Sequence, residues 1–315
     1  MIFTNPSVRT LALLLLVSLF FACEDDDATT PSNTGSFSLE ITDAPIDDAD
    51  VSAIFVTVAD VKLDGASVEG FSRTTVEISA LQNGVTEMIA SADLEARTYN
   101  SLEIVLDDAQ DASGNAPGCY VRRTDGTKAA LEVAGDGSLT VSDAAFTISQ
   151  GATVATVIDF DLRKAVQRGE TETDPYRFAA ESRLESSLRF VEKERTGTLR
   201  GSVSNPSGEN GEVVIYAYAA GTYQASEAEG DENETFLNAV SSTRLTGGGS
   251  YTLAFLESGS YELIAVSYQD DDNDNELELA GQFQLSAGLG LNLGGLNVEA
   301  TSTTTADFTL TTLLP

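Results

Sequence analysis

Apolar and polar residues alternate along most of this chain, and a period of two is the mark of a strand with one buried face. In SFSLEIT, residues 36–42, Phe37, Leu39 and Ile41 alternate with Ser36, Ser38 and Glu40. VSAIFVTVADVKLDG alternates less strictly and closes on Asp64-Gly65. RTTVEIS, YNSLEIVLDD, GCYVRR and GATVATVIDFDL continue in the same style, punctuated by Asn83-Gly84, Asp125-Gly126 and Asp136-Gly137, pairs that favour tight turns. Two stretches read otherwise: ALQNGVTEMIASADL, residues 80–94, admits a short helix, and DLRKAVQRG, residues 161–169, a helical turn or two ended by Gly169. Near residues 170–196 the chain becomes charged (RGETETDP, RFVEKERTG), which places a domain boundary at about Thr196. Beyond it TLRGSV, EVVIYAYA, GSYTLAFL, GSYELIAVSY, LAGQFQLSAG and TTTADFTLTTL recur between Gly/Ser/Asp turns, the pattern of a sandwich. Val213, Ile215, Leu253, Phe255, Leu263 and Phe283 are its expected inward positions. The expected fold class is all-β: two β-sandwich-like domains, residues 36–196 and 197–315, behind a lipidated N-terminal tether.

The tether follows from the N-terminus. Residues 1–22 carry Arg9 and then an apolar run, Leu11 to Ala22, too short for a permanent membrane span and suited to an export signal. Ala22 stands directly before Cys23. This resembles the bacterial lipobox, in which the cysteine is acylated and becomes the mature N-terminus. The resemblance implies palmitate-type chains on Cys23 and an outer-membrane lipoprotein; an ordinary signal peptide with a coincidental cysteine is the alternative. Glu24, Asp25, Asp26 and Asp27 follow, within a polar tether over residues 23–35. That acidic run resembles the export signal of surface lipoproteins in Bacteroidota-type bacteria, which implies a protein facing the cell exterior. A solvated spacer is the plainer account.

Loss of residues 1–22 removes one cation, Arg9, and no anion, taking the net charge from −33 to −34. Such a chain repels nucleic acid and anionic headgroups. Its hydrophobic content of 42% nevertheless suffices for cores, unlike an acidic disordered tail. With Cys23 acylated, Cys119 is the single remaining thiol and no internal disulfide forms; it reads as a small, half-buried apolar residue.

Two blocks resemble known families. LEITDAPIDDADVSAIFVTVADVKL, residues 39–63, is similar to the opening of a family of exported bacterial lipoproteins known as domain of unknown function 4382. Its hallmark is a strand ending in Thr-Asp-Ala-Pro, an acidic turn and a valine-rich strand. TVIDFDLRKAV, residues 156–166, is similar to that family's later strand with a Phe-Asp pair. The resemblance covers about residues 36–190 and implies an envelope location without established chemistry. From residue 197 onward, GTLRGSV, VVIYAYA and the Tyr251/Tyr261 hairpin with Gly259 at its turn resemble the carboxypeptidase-regulatory-like, transthyretin-type sandwich. That resemblance implies a structural or adhesive module.

Chemistry is limited by what is missing. The chain has no histidine and no tryptophan, so no Ser-His-Asp engine and no histidine metal centre can form. GLGLNLGGLN, residues 288–297, lacks the lysine and the strand–helix setting of a phosphate loop and reads as an inter-strand loop. Paired carboxylates could hydrolyse a glycan, but 50 acidic residues make chance pairs abundant and nominate none. YQDDDNDNELE, residues 268–278, sets Asp270, Asp272 and Asp274 on alternate positions with Glu276 behind them, as a loop around Ca2+ requires. It is not an EF-hand, since Asn275 stands where that loop needs glycine and Gly281 where it needs a bidentate acid; a solvated hairpin loop is the equal alternative. Asp43, Asp47 and Asp48 in TDAPIDDAD form a weaker candidate. There Asp43 is read first as closing an Asx-turn, and Asp159 and Asp161 join a metal site only if the fold brings them near. The expected protein is therefore a non-enzymatic, lipid-anchored binding or scaffold module for a glycan, matrix or protein ligand, with Ca2+ as its one candidate cofactor. A carboxylate hydrolase of surface glycans and a periplasm-facing structural lipoprotein are the alternatives.

Overall fold

The structure is a computed structural model that describes residues 33–44, 48, 50–171, 174–205, 211–229, 235–270, 277–288 and 290–315. Strands dominate it, in sandwich-like and half-barrel sheets. Among the described residues no helix is long and apolar enough to cross a membrane.

In a four-stranded sheet Thr34–Ala44 lies between Thr153–Asp161, to which it is parallel, and Glu87–Glu95; Leu188–Glu192 closes the far edge. Phe37, Leu39 and Ile41 are no more than 1% exposed, so the alternation in SFSLEIT does set the inner face. They pack on a seven-stranded sheet centred on Val51–Leu63, whose Ile54, Val56 and Val58 are fully buried. Phe37, Tyr99 and Phe146 stack within the same core, with centroids 5.0 and 5.3 Å apart. This core draws its buried residues from Phe37 to Phe190.

The cores that follow begin at Leu199. Nine strands form one sheet in which Glu212–Ala219, Gly259–Gln269, Glu278–Ala287, Phe308–Leu314 and Thr196–Ser204 run side by side. Its two end strands, Ser241–Arg244 and Ser250–Glu257, approach each other, so the sheet curls around Val213, Ile215, Leu253, Leu263 and Phe283. A sheet of this width curls because twist accumulates from strand to strand. EVVIYAYA is buried on both faces: Val213, Ile215 and Ala217 point inward, while Val214, Tyr216 and Tyr218 enter a second cluster with Phe236 and Ile264. A continuous apolar run is the pattern such a doubly covered strand needs.

Four local expectations are corrected. Residues 80–94 hold no α-helix; a 3-10 turn, Ile78–Ala80, precedes the strand Glu87–Glu95. The helix after Asp161 is only Leu162–Ala165, and Gly169 lies in the strand Val166–Thr171, paired with Asp174–Phe178. Phe255 is not inward. Leu199 pairs with Leu253 and Gly197 with Leu256, so Ala254 and Phe255 oppose Thr198 alone. This bulge, with Phe255 at φ 56°, hands the inward position to Leu256. Cys119 is fully rather than half buried, and burial pushes its thiol up to about 12, so it is an inert core atom.

Candidate functional site

The Thr-Asp-Ala-Pro block ends the first strand at the junction of the two β regions. Thr42 fixes the turn beneath it, its hydroxyl donating to the carbonyls of Leu81 (2.9 Å) and Val85 (2.8 Å). Neither carboxyl oxygen of Asp43 closes a hydrogen bond; Pro45 and Ile46, through which the expected Asx-turn would run, lie outside the described residues. The parallel register sets Thr42 opposite Asp159, Asp43 opposite Phe160 and Ala44 opposite Asp161. Asp159 and Asp161 therefore lie one position to either side of Asp43's partner, within electrostatic reach of it, but the three acids are not grouped as a metal site.

Each flanking carboxylate is engaged. Asp159 accepts from Arg189 at 2.6 Å, and the same guanidinium donates to the Phe255 carbonyl at 2.8 Å. Asp161 accepts from Arg163 at 2.7 Å and faces Lys164 at 3.3 Å. Arg163 also donates to the carbonyl of Phe236 and Lys164 to that of Ala239, both at 3.3 Å. The Arg163 guanidinium lies 4.9 Å from the centroid of the Tyr216 ring. Phe236 and Phe255, whose carbonyls receive these cations, both hold left-handed backbone, φ 52° and 56°, an uncommon state for bulky side chains. Three cations of the first β region are thereby clamped onto carbonyls of the second.

Electrostatics separate the three acids. Burial disfavours charge on Asp161, but Arg163 and Lys164 outweigh it and hold the carboxyl below its ordinary range. Asp43 is pushed well above that range, first by burial and then by the like charges of Asp159 and Asp161. The Leu162 amide and Arg163 oppose the rise, without either closing a hydrogen bond of ordinary geometry to it. Asp43 borders a cavity of about 10 Å3 with Thr42, Asn83, Asp159, Ser242 and Phe255, the room of one water. Asp43 and Asp159 are 7% and 5% exposed, so no polymer reaches them.

The other nominated residues fare differently. Asp48 is 6% exposed and saturated: Arg168 grips both its oxygens at 2.9 Å, Tyr176 donates at 3.0 Å and the Asp50 amide at 2.9 Å. Asp50 in turn binds Arg123 and the Thr124 hydroxyl. These contacts tie the acidic turn to its neighbours and leave Asp48 no free face for a metal. Asp47 lies outside the described residues, as do Asp272, Asp274 and Glu276. Asp270 follows the strand Gly259–Gln269, whose pairing with Glu278–Ala287 starts at Gln269 and Glu278. Among the described residues no three acidic or thiol side chains are grouped to hold a metal ion. Arg163, Lys164, Arg189 and Ser242 carry the junction but escaped sequence reasoning, and Asp161-x-Arg163-Lys164 was the only local hint.

Among the described residues an open groove of about 460 Å3 lies on the second β region, and another opening of about 400 Å3 is bordered by Glu194, Arg195, Glu257 and Ser258. Glu262, Gln282, Gln284 and Thr311 line the larger groove beside Leu263 and Leu285. Tyr223 braces the wall of that groove, its hydroxyl donating to Gln282 at 2.7 Å and its amide to Glu262 at 2.9 Å.

Residues 34–179 match the family described as "Domain of unknown function (DUF4382)". No curated protein matches the chain. Among solved structures, similarity is found to a leucine-rich repeat protein from Bacteroides thetaiotaomicron at 12% identity, TM-score 0.22, over 90% of this chain and 27% of that one. The Bacillus anthracis TIE protein matches at 12% identity and TM-score 0.19, over 88% of this chain and 34% of that one. GBS52, the minor pilin of Streptococcus agalactiae, matches at 11% identity and TM-score 0.21, over 89% and 98%. This chain thus spans about a third or less of the first two proteins, and at such TM-scores the likenesses carry no argument about it.

Proposed function

We propose that this protein is a lipid-anchored envelope module, held at the outer membrane by acyl chains on Cys23, displayed outward, and acting by binding or scaffolding. One observation carries the reading: the carboxylates gathered by the fold are shut inside a junction with room for one water. A two-carboxylate hydrolase needs its acids open to a sugar chain. Here Asp159 and Asp161 are spent instead on Arg189, Arg163 and Lys164. Open to solvent, among other surfaces, is the groove of Gln282, Gln284, Thr311 and Glu262, whose amides, hydroxyl and acid suit hydrogen-bonded capture of a glycan, matrix or protein ligand. The match of residues 34–179 to a domain without assigned chemistry is consistent with this role.

Display is tested by protease added to intact cells. Wild-type protein should be digested, and a variant with Asp25, Asp26 and Asp27 changed to alanine should be protected because it stays on the inner face. Equal digestion of both would reduce the acidic run to a spacer. Release of sugar from surface polysaccharide by the purified protein would instead support the hydrolase.

A further inference from the structure

The cavity beside Asp43 joins two polar side chains that have no partner of their own. Both oxygens of Asp43 and the hydroxyl of Ser242 are buried without a hydrogen bond, and both residues border the same 10 Å3 cavity. Asp43 is 7% and Ser242 5% exposed. They belong to different β regions, Asp43 to Thr34–Ala44 and Ser242 to Ser241–Arg244. Buried polar atoms without partners cost free energy, so two of them around one small void call for an occupant.

Local charge selects its chemistry. Asp159 is neutralised by Arg189, and Asp161 by Arg163 and Lys164. Asp43 is the acid of the three without an ion pair or hydrogen bond, and because its surroundings favour the protonated form, an entering cation takes the place of that proton. Every polar side chain bordering the cavity presents oxygen, apart from the Asn83 amide nitrogen, and Asn83 already turns its amide oxygen to the Thr243 hydroxyl at 3.1 Å. Oxygen donors suit a hard cation. Mg2+ keeps several waters, for which there is no room. Ca2+ carries two charges, whereas Asp159 is already paired with Arg189 and Asp43 alone is left to balance them; Ca2+ also favours six to eight ligands. The geometry points to a single dehydrated monovalent cation, Na+, held by Asp43 with Ser242 and bridging the two β regions at their junction.

The purified protein is melted in NaCl and in tetramethylammonium chloride at one ionic strength of about 0.15 M, which equalises screening while the bulky ion cannot enter. The melting midpoint should be several degrees higher in NaCl, since an ion bound only by the native state stabilises it by mass action. The difference should vanish in Asp43→Asn, which keeps the shape, shrink in Ser242→Ala, and persist in a variant with Asp272 and Asp274 changed to alanine. Equal midpoints in the two salts for wild type, or an undiminished Na+ advantage in Asp43→Asn, would overturn the site. Sodium-23 relaxation on wild-type protein supplies a readout independent of any variant's folding. One saturable site that Mg2+ fails to empty supports the proposal, and displacement by equimolar Ca2+ would overturn the monovalent assignment.

Discussion

Arg163→Ala should destabilise the protein by about 3 kcal/mol, the low end of the range for removing one partner of a buried ion pair. The side chain is 6% exposed, so its loss leaves Asp161 short of its nearer cation and the Phe236 carbonyl without that donor. Contact with the Tyr216 ring goes too. Lys164 still faces Asp161, which keeps the cost from the upper end. For a chain of this size, with an unfolding entropy of about 0.6 kcal/mol per kelvin, about 3 kcal/mol corresponds to a fall of roughly 5 °C in melting midpoint. The effect has a pH signature. Because Asp161 is held below its ordinary range, its ion pairs contribute fully above the unfolded value of about 4 and fade as pH falls through the lowered native value. The gap between wild type and Arg163→Ala should therefore be widest near neutrality and narrow below about pH 4. A gap that stays constant down to pH 2 would mean that Arg163 acts through packing alone.

Asp48→Ala should cost a similar amount, about 3 kcal/mol, through a separate set of contacts. Removing the carboxylate strips Arg168 of a two-point partner and leaves the buried Tyr176 hydroxyl without its acceptor. The Asp50 amide loses its acceptor as well. Arg168 retains access to water, its side chain being 27% exposed, which moderates the loss. Denaturant titration measures the change, and adding Ca2+ or a chelator should leave the difference between Asp48→Ala and wild type unaltered. A loss that appears only when Ca2+ is present would restore Asp48 as a metal ligand.

Much of the fold could be read from side-chain periodicity, because the decisive contacts were the ones that periodicity encodes. Phe37, Leu39 and Ile41 face one core, and EVVIYAYA is covered on both sides. Glu87–Glu95 escaped because EMIASADLE is rich in alanine and carries one β-branched residue; pairing with Thr34–Ala44 overrides its weak strand preference. Phe255 escaped because a bulge shifts the alternation by one position, which no pattern of apolar residues announces. The Asp43 cavity is less legible still. It depends on a parallel pairing of Asp43 with Phe160, 117 positions apart in the numbering, and on a serine contributed from Ser241–Arg244. Acidic runs drew attention to residues 270–276, yet among described residues the decisive acids are isolated ones set between cations.

Anchoring at Cys23 is the claim on which the functional account turns, and metabolic labelling with a fatty-acid probe tests it most directly. Wild-type protein should incorporate the probe and sediment with membranes, since two or three acyl chains hold a protein far more firmly than one. Cys23→Ala should carry no label, while Cys119, fully buried with its thiol pushed up to about 12, offers no second site. Equal labelling of wild type and Cys23→Ala would contradict the account.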